Sequence, residues 1–204
     1  MQSAAGTRLN RRGLATRAHL LDVAIEVLAA GDSEPISANR IAKQAGVSWG
    51  TVAHQFGDLD GLWVAVVDEI HTRSWTPDAG PLPPLTGSLA QRLEAAIDSV
   101  WIYLETTQGR ALTALRNALP PRRADVLAEY PRTAAALDAR EHDWIEGFAY
   151  LMDGLDLDPE KLDNVRCLLP AAVRGLSSER EIGFSTRLDV ARRTLAQALS
   201  AYLS

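Results

Sequence analysis

Residues 37–56 read SANRIAKQAGVSWGTVAHQF, and the reading of the whole chain turns on them. Ser37 and Ser48 each precede a short run with helical spacing. Serine is a favoured N-cap because its hydroxyl accepts a hydrogen bond from a first-turn amide. Between the two runs stands Ala45-Gly46-Val47, where glycine can take the positive φ that a tight interhelical turn demands. Ala42 is small enough for the second helix to come close, and Ile41, Ala45, Val47, Val52 and Phe56 supply a shared apolar interior. Any two helices packed about a glycine turn share part of this pattern. The five apolar positions, the small residue and the turn glycine together favour a helix-turn-helix, whose second helix offers its N-terminal residues to base edges in a major groove.

Outward from the motif, helical spacing continues. Ala18, Leu21, Ile25 and Leu28 lie on one face of a helix from Thr16 to Ala30, closed by Gly31. Asp58 can cap a fourth helix over 58–75, with Leu62, Trp63, Val66, Val67 and Ile70 inward. Residues 76–87, TPDAGPLPPLTG, hold four of the ten prolines and two glycines, a composition that cannot be helical. The boundary is placed there. Residues 1–75 are expected to form the DNA-binding domain with a basic N-terminal arm, and 76–204 a larger domain.

In that larger part Leu89, Leu93, Ala96, Ile97, Val100, Trp101 and Leu104 make a stripe. Residues 110–119 form a short helix ended by Pro120-Pro121, and 122–154 are helical with a break at Pro131. Asp158-Pro159-Glu160 starts a helix that runs to Ser177 with Pro170 inside it, and the last helix covers 186–203. No alternating strand pattern or Asn-Gly turn occurs. The expected fold is all-α: an N-terminal helix-turn-helix domain of three helices plus a larger helical bundle.

At 204 residues, with 47% apolar and 23% charged side chains, the chain is neither disordered nor fibrous. No apolar run is long enough for a membrane helix, and the N-terminus lacks the apolar core of a secretory signal. A lone cysteine excludes a disulfide framework and suggests a reducing compartment, so a cytoplasmic location is expected. The net charge of −5 hides an asymmetry. Arg8, Arg11, Arg12, Arg17, Arg40 and Lys43 outweigh the acids of residues 1–57 and leave +2, against −7 for the rest. Nineteen arginines to two lysines suit a GC-rich bacterial genome. His19, His54, His71 and His142 have no ligand spacing with one another or with Cys167, so neither metal nor cofactor is expected. Cys167 lies in the apolar run VRCLLPAAV and is expected to be a buried, inert thiol.

From the first helix through IAKQAGVSWGT, then His54, Gln55, Phe56 and Leu62, the sequence resembles the tetracycline-repressor-like (TetR) family of bacterial transcription regulators. The resemblance implies DNA contact by Ser37 and Asn39 of the first motif helix, and by Ser48, Trp49, Gly50, Thr51, His54 and Gln55 of the recognition helix. The chain also departs from the family pattern: Ala53 stands where a tyrosine is usual, Gln55 where a histidine is, and Leu59 where a lysine approaches a phosphate. Asp58 and Asp60 flank that last position, leaving bare amides at the helix start as the local means of binding phosphate. The arginines of the N-terminal arm are the available compensation.

Gly46-Val47-Ser48-Trp49-Gly50 is also formally G-x-S-x-G, the nucleophile elbow of serine hydrolases, with His142 available as a base. That elbow needs a strand before the serine, and here a helix precedes it.

The resemblance further implies a small-molecule pocket in the larger domain. Trp101, Trp144 and Phe148, with Tyr103, Tyr150 and Met152, are ordinary core aromatics or an apolar lining, and Arg116 can meet an anionic group. Leu188, Ala191, Leu195, Ala198 and Tyr202 are spaced three and four apart, and the preceding helix has a matching face that includes Leu169 and Val173. In the resembled family the last two helices form the dimer interface. The expectation is a homodimeric, ligand-responsive regulator, more a repressor than an activator. It binds double-stranded palindromic operator DNA and is released by a small apolar ligand. A hydrolase using Ser48, or a constitutive DNA-binding protein, is the alternative.

Overall fold

The computed structural model describes residues 10–31, 36–74, 86–183 and 186–204; Arg8 and most of the proline-rich connection lie outside them. Among the described residues every regular element is a helix: α1 Arg11–Ala29, α2 Ala38–Gln44, α3 Trp49–Phe56, α4 Leu59–Ser74, α5 Leu89–Glu105, α6 Thr107–Ala118, α7 Arg123–Glu129, α8 Pro131–Met152, α9 Pro159–Ile182 and α10 Leu188–Leu203. The all-α expectation holds. None of these helices is long and apolar enough to cross a membrane.

Local chemistry explains most boundaries. Asn10 accepts from the Gly13 amide and so starts α1 earlier than its apolar spacing suggests. Asp158 accepts from the Glu160 and Lys161 amides ahead of Pro159. The α9 helix continues past Ser177, with Pro170 inside it, until Gly183 closes it at φ +78°. The break at Pro131 separates α7 from α8.

Two compact units result. The described chain up to Ser74 packs with Thr106–Arg140, and residues 86–105 pack with Glu141–Ser204. The chain therefore leaves the first unit near the expected boundary, returns to it, and leaves it again within α8. Residues 106–140 join the first unit because α6 lies along α1 and buries Ala111 and Leu115 among Leu20, Ala24, Leu28, Ile41, Val52 and Leu62. Each fully buried leucine or isoleucine there contributes about 1.5–3 kcal/mol. The second unit packs α5, α9 and α10 together, with Leu93, Ile97, Phe148, Val165, Leu169, Val173, Ala196 and Leu199 inside. It also holds a buried guanidinium, that of Arg92 on α5, which donates to the Leu151 and Asp153 carbonyls at the end of α8.

Candidate nucleic-acid interface

The motif closes as its residues dictate. Ser37 caps α2 by accepting from the Arg40 amide, and Ser48 caps α3 by accepting from the Thr51 amide. Gly46 sits at φ +67°, while the Gly46 and Val47 amides donate to Lys43 and Ala42 carbonyls. Ile41, Ala42, Ala45, Val52 and Phe56 are buried, which turns the other side of α3 outward.

On that outer side Ser37, Asn39, Ser48, Trp49, Gly50 and His54 are exposed, and Thr51 is half-buried with its hydroxyl 3.2 Å from that of Ser48. Trp49 keeps 38% of its surface in solvent at the first position of the helix. A Cβ built on Gly50 would meet only the Ser48 hydroxyl, at 3.6 Å, so packing does not require glycine there. Its bare backbone faces open space at the electropositive end of α3. Arg11, Arg12 and Lys43 are exposed on α1 and α2 of the same unit.

Gln55 departs from the expectation. It is only 4% exposed, and its side-chain amide donates to the Gly13 carbonyl of α1 at 3.3 Å. Arg17 of α1 reciprocates by donating to the Gln55 carbonyl at 2.9 Å, with its guanidinium 4.3 Å from the Phe56 ring centroid. Burial lowers the Arg17 pKa, and Glu69 and Asp68 oppose that shift. Gln55 and Arg17 therefore bind α1 to α3 rather than reaching outward. Helical geometry gives the reason: Gln55 lies three residues after Val52 and so shares its inward face.

The start of α4 also differs. The Gly61 amide donates to Asp58 Oδ1 and the Leu62 amide to the Asp58 carbonyl, so these amides are not free for a phosphate. A cation does reach this place, from α8: Arg132 pairs with both Asp58 and Asp60. No sequence pattern announces a partner 72 residues away.

At Ser48 the chain does not build a hydrolase elbow. The residue is an extended cap at φ −80° and ψ 157°, it follows a helix and a turn, and its hydroxyl is engaged with Thr51. His142 belongs to α8 and pairs with Glu146 one turn on.

The residues expected to hold a ligand are divided. Arg116 is exposed on α6 of the first unit, whereas Trp101, Trp144 and Phe148 share the core of the second. Phe148 is fully buried, and the half-buried Trp144 lies 5.4 Å from it, ring to ring, while donating to the Arg166 carbonyl. Trp101 has the guanidiniums of Arg180 and Arg192 at 4.9 and 4.7 Å from its ring centroid, so cations already occupy its faces.

The expected dimer seam also needs correction. Leu169 and Val173 are fully buried inside their own unit, and Leu188 and Leu195 pack partly on the same core. Ala191 is half-buried, and Ala198 and Tyr202 alone of the named set are exposed. The outward faces of α9 and α10 instead carry Cys167, Leu168, Ala171, Gly175, Val190, Ala198 and Tyr202. Cys167 is exposed, not buried.

No protein-family model matches the sequence, and no curated protein does. Solved structures do match. A transcriptional regulator from Rhodococcus sp. Rha1 is 21% identical, with a TM-score of 0.63 over 92% of this chain and 95% of that one. NalD of Pseudomonas aeruginosa, the secondary repressor of the MexAB-OprM multidrug efflux pump, is 19% identical, with a TM-score of 0.61 over 95% of this chain and 98% of its own. The multidrug binding protein EbrR, complexed with imidazole, is 20% identical, with a TM-score of 0.62 over 98% of this chain and 96% of its own. The chain has the TetR-like fold.

Proposed function

We propose that the protein is a DNA-binding transcriptional regulator that reads an operator through α3. The observation that carries this reading is the division of α3 into two sides. Val52, Gln55 and Phe56 lock it to its own unit, while Ser48, Trp49, Gly50 and His54 are exposed. A helix start aimed outward with exposed arginines nearby suits a groove walled by phosphates. Ser37, Asn39 and Thr51 complete the contact set, and Arg11 and Arg12 supply charge from α1.

One such helix touches too little DNA for tight binding, so the working species is a homodimer on a palindromic site. The outward faces of α9 and α10 are the interface, because Leu168 and Tyr202 stay 52% and 45% exposed there. Repression with release by a small apolar molecule is the mode this reading favours; NalD, a repressor, and EbrR, a multidrug binding protein, have the same fold. Trp144, half-buried at the edge of the second unit's core, offers aromatic surface to such a molecule. A ligand shifts the DNA equilibrium only by the difference in its affinity for the two arrangements.

Selection of bound fragments from genomic DNA tests the reading. The expected result is a palindrome whose half-sites lie about one helical turn, or a multiple, apart. Recovery of fragments without a shared sequence would replace it with non-specific binding, and recovery of none would remove it.

A further inference from the structure

Asp60 is a buried carboxylate that the DNA-reading side of α3 does not use. It stands in the first turn of α4, 7% exposed. One of its oxygens accepts from the Thr133 amide at 2.9 Å and hydroxyl at 2.7 Å; the other accepts from the Arg132 amide at 3.1 Å and Nε at 3.0 Å. Those two amides belong to the first turn of α8, where no intrahelical acceptor exists for them. The residue before Pro131 is Tyr130, which is not among the side chains that cap helices. Asp60 therefore caps α8 from another helix, with a negative charge at the electropositive end.

The same turn of α4 is fitted to the recognition helix. A Cβ on Gly61 would fall 2.0 Å from the Phe56 carbonyl oxygen, the last residue of α3, and 3.2 Å from Arg132 Nη1. The end of α3, the first turn of α4 and the first turn of α8 thus meet at one joint without slack, since interiors at this density do not deform continuously. Beyond the joint, α8 runs unbroken from the first unit, which holds it up to Arg140, into residues of the second.

We propose that Asp60 is a positioning residue for DNA binding: it makes the first turn of α4, and with it α3, follow the N-terminus of α8. The proposal rests on the DNA-binding function above.

The test uses the full-length protein and two duplexes of equal length, one enriched by the wild type from a random library and one scrambled. Asp60→Asn keeps the side-chain shape but puts an amide among donors. It is expected to lower the preference for the enriched duplex at least tenfold while leaving affinity for the scrambled duplex within twofold. Gly61→Ala attacks the same joint from the α3 side and is expected to act in the same direction. A merely structural role would lower the melting temperature without moving the preference of the folded protein. Should Asp60→Asn fail to fold, Arg132→Gln, on a half-exposed side chain, is expected to reduce the preference several-fold. Folded Asp60→Asn or Arg132→Gln protein that keeps its preference within twofold overturns the proposal. A wild type that enriches no duplex removes the underlying function too, and does so before any substitution is made.

Discussion

The two units are both built on apolar helical cores, yet they leave different surfaces behind. In the first, polar side chains join one helix to another: Gln55 and Arg17 tie α3 to α1, Asp60 ties α4 to α8, and Arg73 of α4 pairs with Asp22 of α1. What remains exposed around the motif is mostly polar or charged, with Trp49 and Leu14 the large apolar side chains among it. In the second, Leu93, Ile97, Trp101, Val165, Leu169, Val173, Leu199 and Leu203 of α5, α9 and α10 turn inward, and a strip with Leu168, Val190 and Tyr202 stays exposed on α9 and α10 beside polar residues such as Glu179 and Gln197. A helix with directional bonds on its inner side has one orientation, which suits reading a groove. An exposed face with large apolar side chains suits association with another surface.

Neighbouring residues on α9 give the largest test of that contrast. Leu168→Glu puts a charge on the exposed strip and is expected to cost about 3–5 kcal/mol of association if the strip is the interface. Sedimentation would then find folded monomers, and a dimer of undiminished stability would show that the interface lies elsewhere. Leu169→Ala, one residue on, empties a fully buried site and is expected to cost about 2–5 kcal/mol of folding stability, read by denaturant titration. Equal effects from the two would erase the distinction between the faces.

On the motif the expected effects are smaller and have opposite signs. Gly50→Ala should raise the stability of α3 by up to about 1 kcal/mol, since alanine is the better helix former and the space is open. The same methyl should weaken operator binding by crowding the backbone against a phosphate. A variant more stable and equally tight would show that Gly50 does not face DNA. Thr51→Ala should cost about 1–3 kcal/mol of operator affinity if the residue contacts a base edge.

The smallest effect concerns acid. Burial alone pushes the Asp60 carboxyl up, but the Thr133 hydroxyl and amide and the Arg132 amide and guanidinium together hold it below its ordinary value of 3.8. A carboxylate with a lowered folded pKa adds stability above its unfolded pKa and loses it as pH falls through the folded one. The wild type should therefore lose stability below about pH 3.8 relative to Asp60→Asn. Parallel acid melting curves would remove that link.

Much of this was legible in contiguous residues. Ser37, Gly46, Ser48 and Asp158 act through bonds to residues within four positions, so their caps and turns can be read directly. Spacing failed where apolar residues surround a helix. On α10 the stripe Leu188, Ala191, Leu195, Ala198, Tyr202 competes with Ala196, Leu199 and Leu203, and the latter set is the buried one. Gln55 misled differently, since its polarity suggested solvent while its register put it beside Val52.

By itself, then, the sequence determined that the chain is helical, several of the caps and the helix-turn-helix, because each depends on hydrogen bonds and steric limits among near neighbours. Tertiary structure alone decided which side of α9 and α10 faces inward, that residues 106–140 return to the first unit, and that a carboxylate on α4 caps α8. Those outcomes depend on which distant surface offers the complementary shape or the missing acceptor, and local spacing along the chain carries no record of that partner.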